Sequence, residues 1–173
     1  MQAIGKPATG EYAPYAAMYI DLLPDDGRVL EYLRKNFEIV RDLTLALSED
    51  QLLSRYAPGK WTIKEILVHI VDDERIYAYR ALRFARGDTT ELPGFEQDAF
   101  AAQSAANGRE LSSILAEYSA VRDSTIALFD ALPSESLTRT GVADGTRMSV
   151  RAIAHHIAGH ELHHLRVIRE HYL

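Results

Sequence analysis

The residues best suited to chemistry in this chain are its histidines. Of seven, His155, His156, His160, His163 and His164 fall within ten consecutive positions, His171 follows, and His69 stands alone upstream. Imidazole is the commonest side-chain ligand for transition metals, and all-nitrogen ligation suits Zn, Ni, Fe or Cu better than Mg or Ca. An expression tag also clusters histidines, but here Ile157, Ala158, Glu161 and Leu162 are interleaved with them at helical spacing. At about 100° per residue, Val150, Ile153, Ile157, His160, His164, Ile168 and His171 share one sector of roughly 80°. His160 and His164 therefore lie one turn apart on the stripe expected to face the interior, where two imidazoles can reach one ion. His69 is flanked on its own helix face by Ile66, Ile70 and Tyr77 and is expected to point inward too. Taken alone, a histidine on an apolar face is more often a hydrogen-bonded core residue than a ligand. Three imidazoles from two facing helices would leave a position open for water or substrate, as catalytic rather than structural sites do. His155, His156, His163 and His171 are expected to face solvent, or at most to support the ligands from outside.

One motif points elsewhere. His160-Glu161-Leu162-His163-His164 matches H-E-x-x-H, the metalloprotease helix whose Glu is the general base. Such enzymes generally take a third ligand downstream, and only nine residues follow His164. The extended form would need Gly at 167 and His at 170, where Val167 and Glu170 stand. Glu161 also lies about 100° from His160 and 60° from His164 on the wheel, so it has no assured aim at an ion. The protease reading is set aside.

The elements that must position these residues are helices. Residues 1–24, punctuated by Gly5, Pro7, Gly10, Pro14 and Pro24, read as an irregular arm whose tyrosines pack it onto the remainder, residues 25–173. From Asp25 a first helix is expected, with Leu30, Leu33, Phe37, Val40 and Leu47 inward and Ser48 at its close. Thr62-Ile63-Lys64-Glu65 reads as a capping box opening a second helix that runs to about Gly87. The connection from Asp88 to Gly108 is long enough to suggest function, with a short helix expected near Asp98–Ser104. A third helix presents Leu111, Ile114, Leu115, Tyr118, Val121, Leu128 and Leu132 and stops at Pro133. A small hairpin around Asp144-Gly145 precedes the last helix, for which Ser149 is the expected cap. Four amphipathic helices with almost no strand signal predict an all-α four-helix bundle.

Composition narrows the function. The chain of 173 residues fits one domain and has no cysteine, which removes disulfides, thiolate metal sites and a cysteine nucleophile. A net charge of −6 argues against generic binding to nucleic acid or anionic membrane. No apolar run reaches the roughly 18 residues of a membrane span, and Met1 to Pro14 lacks the layout of a secretory signal. A cytoplasmic protein is expected.

Two segments carry a family resemblance. The run from Tyr56 through Pro58-Gly59-Lys60-Trp61-Thr62 to His69, followed by Asp72-Asp73-Glu74-Arg75, is similar to the second helix of the DinB-like superfamily. Tyr79-Arg80-Ala81-Leu82-Arg83, Pro93-Gly94-Phe95 and the closing Gly159-His160-Glu161-Leu162-His163-His164-Leu165 extend the similarity over most of the chain. The resemblance implies a commonly dimeric four-helix bundle with a histidine triad holding one divalent metal, often zinc or nickel. Here that triad is His69, His160 and His164. Members include bacillithiol S-transferases and mycothiol-dependent isomerases, so the expected activity is a metal-dependent reaction on a small molecule, with a low-molecular-weight thiol as one expected partner. S-transfer leads, a metal-dependent hydrolase is the alternative, and a non-catalytic metal-binding stress-response module is the third reading. Asp73, Tyr77 and Arg80 share the face of His69 and are candidate pocket residues. Asp73 could act as a base or acceptor, and Arg80 could receive a carboxylate. An ion pair between Asp73 and Arg80 along the helix is the simpler expectation for both.

Overall fold

Local capping decides where the helices begin. In a computed structural model covering Met1–Leu173, the Thr62 hydroxyl accepts from the Glu65 N–H at 3.0 Å and the Glu65 carboxylate accepts from the Thr62 N–H at 2.7 Å. Two orphan donors of the helix start are thus satisfied reciprocally. Ser149 caps the last helix through the Ala152 N–H at 3.1 Å. The helices are α1 (Ala17–Ile20), α2 (Val29–Leu45), α3 (Glu49–Leu52), α4 (Ile63–Ala85), α5 (Gln97–Gln103), α6 (Leu111–Asp130) and α7 (Val150–His171). Strands β1 (Thr140–Ala143) and β2 (Thr146–Ser149) form the expected antiparallel hairpin, pairing Ala143 with Thr146 across the Asp144-Gly145 turn.

The four long helices α2, α4, α6 and α7 make the expected all-α bundle, in which α2 and α4 each pack against both α6 and α7. None is long and apolar enough to cross a membrane. Two boundaries differ from expectation. Asp25 to Gly27 form a turn, Gly27 taking the left-handed φ of +75°, so α2 starts at Val29. It ends at Leu45, because Ser48 caps the separate turn α3 instead of closing α2. The buried face of α6 is also rotated from the aliphatic reading. Arg122, Thr125 and Phe129 are buried, whereas Val121 and Leu128 are only partly covered.

That rotation has a cause in the core, which is two apolar clusters with a polar layer between them. Leu30, Leu33, Phe84, Phe129 and Ile153 belong to one cluster; Val40, Leu67, Ile70, Ile114 and Leu165 belong to the other. In the layer, Arg122 donates to Glu74 at 2.8 Å and to Glu161 at 3.1 Å, while the Tyr118 hydroxyl donates to Glu161. Burying a charge is tolerable when it is paired and hydrogen-bonded, and Arg122 also donates to the Leu33 carbonyl.

The N-terminal residues lie over this bundle. Ile4 is fully buried and its N–H donates to the Gly27 carbonyl at 3.0 Å. The Glu11 carbonyl accepts from the Ser149 N–H at 2.9 Å, and its carboxylate pairs with Arg151. Helix α1 packs on α7 so closely that a Cβ at Gly159 would collide with the Tyr19 carbonyl.

Candidate metal centre

Helices α4 and α7 bring the three predicted ligands to one point. The Nε2 atom of His160 lies 3.1 Å from Nε2 of His69 and 3.0 Å from Nε2 of His164. One nitrogen of each ring lies within 4.8 Å of those of the other two. Two nitrogens bound to one ion at about 2.0–2.1 Å stand roughly 3 Å apart, so these separations suit shared coordination. Hydrogen bonding explains them less well. In either tautomer the His160 Nε2 offers one lone pair or one N–H, yet two neighbouring nitrogens approach it. Its Nδ1 lies 3.3 Å from the Asp73 Oδ2. A carboxylate behind an imidazole is the recurrent arrangement that fixes the tautomer of a metal-ligating histidine.

Burial sets the protonation states. Desolvation lowers the His69 pKa, pushes His160 down to about 3, and takes His164 well below the ordinary imidazole value. All three rings are therefore neutral lone-pair donors at neutral pH, the state that metal binding requires. Burial opposes ionisation of Asp73, but the imidazoles of His160, His156 and His69 outweigh it and hold its carboxyl well below the usual carboxylate range. The His164 Nδ1 and both His156 nitrogens are buried without a hydrogen-bond partner, as is the Asp73 Oδ2.

Two cavities flank the triad. One, of about 320 Å³, includes His160, Asp73, Tyr77 and Arg80 in its wall, with Tyr15 and Tyr19 from the N-terminal residues. The other, of about 330 Å³, is bordered by His164, His163, Trp61 and Tyr172. The Trp61 ring leans on His69 with centroids 4.6 Å apart, and Tyr19 presents its ring edge-on to His156, His160 and His163. Aromatic walls of this kind shed water from a site while keeping it reachable.

Several expectations need correction. His155 and His156 do not face solvent, being 1% and 2% exposed. The wheel treated their side of α7 as outer surface, whereas the N-terminal residues cover it. His156 stacks on Tyr77 at 3.9 Å and lies 3.5 Å from Asp73, and His155 sits 2.9 Å from the Arg151 carbonyl. His163 is half-buried, and His171 is exposed against Tyr56. The ion pair between Asp73 and Arg80 does not form, because Asp73 serves His160 and His156 while Arg80 lies over the Tyr77 ring at 4.8 Å. Glu161 turns away from the histidines into the Arg122 layer, so it cannot serve as the base of an H-E-x-x-H protease. Sequence reasoning missed Tyr15, Tyr19 and Trp61 as site residues; the aromatic content of the arm and the tryptophan beside the Thr62 cap were the available signals.

Comparison with known proteins agrees with this geometry. The family model described as the DinB superfamily matches residues 32–168. The chain is 27% identical over 126 residues to a protein of Oceanobacillus iheyensis provisionally named a metal-dependent hydrolase, the match spanning 72% of each chain. Among solved structures it is similar to YfiT from Bacillus subtilis, described as a probable metal-dependent hydrolase with an unusual four-helix bundle topology. That likeness has a TM-score of 0.74 at 16% identity and covers 89% of this chain and 95% of YfiT. At that identity it bears on the fold.

Proposed function

The chain belongs to the DinB superfamily, and on that premise we propose that it is a metal-dependent enzyme acting on a small molecule, with His69, His160 and His164 holding one divalent ion, zinc or nickel. The observation that carries the proposal is the convergence of three neutral imidazole nitrogens beside a cavity that admits a ligand. A divalent ion held there lowers the pKa of a thiol or a water and polarises an electrophile. The chain's own part is positioning. Asp73 lies behind His160, its Oδ2 3.3 Å from Nδ1 and outside hydrogen-bond geometry, and its charge favours a proton on that nitrogen, which turns the Nε2 lone pair toward the triad. Tyr77, raised above the ordinary phenol range first by burial and then by Asp73, stays protonated and can donate to a bound ligand. Tyr19 and Trp61 limit access of water on either side.

Thiol S-transfer is the leading reaction. It needs room for two substrates, and the triad has a cavity on each side. Without a cysteine in the chain, the sulfur would arrive with the cosubstrate. Hydrolysis is the second reading, favoured by the names of the relatives. Metal analysis of the purified protein tests the shared premise. His69→Ala, His160→Ala and His164→Ala should each abolish occupancy, while His155→Ala should not; equal loss in all four would refute the ligand set. Loss of free thiol with an electrophile present would then mark a transferase, and ester or amide cleavage without thiol a hydrolase.

A further inference from the structure

Three cationic side chains are buried in this protein, and two have acidic partners. Lys64 pairs with Glu49 at 2.5 Å, and Arg122 pairs with Glu74 and Glu161. The third, Arg80, is 6% exposed and has no carboxylate within ion-pair distance. Its single hydrogen bond is to the Pro93 carbonyl at 3.1 Å, and its guanidinium rests on the face of Tyr77. A buried charge without a counter-charge is costly, and a guanidinium offers five donors in a planar fork. Most of that fork is unspent, and Arg80 lines the cavity that also contains His160.

We propose that Arg80 anchors the carboxylate of a small organic acid bound in the cavity beside the histidine triad. The planar fork matches a carboxylate through two parallel hydrogen bonds, and the Tyr77 ring and Pro93 carbonyl hold it in one orientation. A carboxylate suits this cavity better than a phosphate, because Arg80 is the only cation lining it and Glu96, Asp144 and Asp73 lie in the same wall. A doubly charged group would face those carboxylates with one compensating cation. The rim residues Glu96 and Asp144 are exposed to solvent, which screens them, so they leave room for a singly charged ligand. Asp73 and Arg80 are seven residues apart on α4, a rise of roughly 10 Å. The acid therefore places its carboxylate at the Arg80 end of the cavity, with Tyr15, Tyr77 and Met148 in the wall around its body.

The inference names the substrate class for the enzyme proposed above, but the binding it asserts needs no ion. Titration calorimetry of the full chain, freed of metal by dialysis, with hexanoate, hexan-1-ol, hexylamine and hexyl phosphate tests it. Hexanoate is expected to bind at least tenfold more tightly than the alcohol or the amine, and no more weakly than hexyl phosphate. Arg80→Gln should erase the preference and Arg80→Lys should keep part of it. Should Arg80→Gln fail to fold, the Arg80 Nε–H resonance of the unaltered protein serves instead, and it should shift with hexanoate and not with hexanol. No carboxylate preference, a preference that survives Arg80→Gln, tighter binding of the amine or phosphate, or an unmoved resonance would each overturn the proposal. Failure of the chain to bind zinc would sink the triad reading and leave this one standing.

Discussion

Asp73→Asn isolates the contribution of one charge to the proposed metal centre. Asp73 is 5% exposed, and its Oδ2 lies 3.3 Å from His160 Nδ1. The asparagine keeps the size and an oxygen acceptor, so the imidazole can remain in place while the negative charge is lost. The two atoms stand outside hydrogen-bond geometry; a hydrogen bond formed there on metal loading would contribute about 1.5–3 kcal/mol to a charged acceptor and about 0.5–1.5 to a neutral one. The difference, about 1–1.5 kcal/mol, corresponds to roughly tenfold in affinity. That is the lower end of the 10–100-fold typical of outer partners of metal-ligating histidines, as the long contact implies. Competition for zinc with a chromophoric chelator at pH 7 reads this directly, and circular dichroism checks the fold. Asp73→Leu removes the acceptor as well and should approach 100-fold. If Asp73→Asn binds zinc as tightly as the unaltered protein with its fold intact, Asp73 does not organise His160, and the assignment of its Nδ1 proton is wrong.

Three other outcomes follow from the structure. Arg122→Met leaves two carboxylates buried without their cation and should cost about 3–5 kcal/mol in urea denaturation; Glu161→Gln keeps an oxygen acceptor for Arg122 and Tyr118, at a carboxyl whose pKa burial raises, and should cost far less. Gly159→Ala removes a helix-disfavoured residue but drives a Cβ into the Tyr19 carbonyl, so a net loss of about 1–3 kcal/mol is expected, with faster proteolysis of the N-terminal residues; a gain in thermal stability would show that α1 does not pack as described. His155 is buried and its pKa is depressed by desolvation, so the unfolded chain holds more protons as pH falls below about 6.5, and stability should decline through that window; His155→Gln should flatten the slope there.

The second and last helices were legible because each carries a cap and an apolar stripe, Thr62 with Ile63, Ile66 and Ile70, and Ser149 with Val150, Ile153 and Ile157. Periodicity also separated His160 and His164 from their neighbours. It could not reveal what covers the other face of α7, since the N-terminal residues have no helical period to read. The signal present was Gly159, a residue that weakens a helix interior and marks a close backbone approach. The expected Asp73–Arg80 pair failed for a simpler reason: a wheel shows angle and hides rise, and seven residues separate those side chains by about 10 Å along the axis. Arg122 escaped because an arginine at an inward position reads as a break in the stripe unless its carboxylate partners on two other helices are known.

Those partners also explain why H-E-x-x-H is misleading here. On α4, Asp73 and Glu74 are adjacent and diverge by about 100°; on α7, His160 and Glu161 do the same. Asp73 meets His160, and Glu74 shares Arg122 with Glu161. Two neighbouring residues on each helix thus face two different polar sites, one beside a cavity and one sealed between apolar clusters. A rotation of α7 that aimed Glu161 at the histidines would withdraw His160 from Asp73 and leave Arg122 short of a carboxylate. The buried ion pairs therefore fix the rotation of α7 about its axis, and with it the aim of the imidazoles, from the opposite side of the helix. Residue type and spacing qualify Glu161 as a catalytic base; the arginine on α6 commits it to holding the helix in register instead.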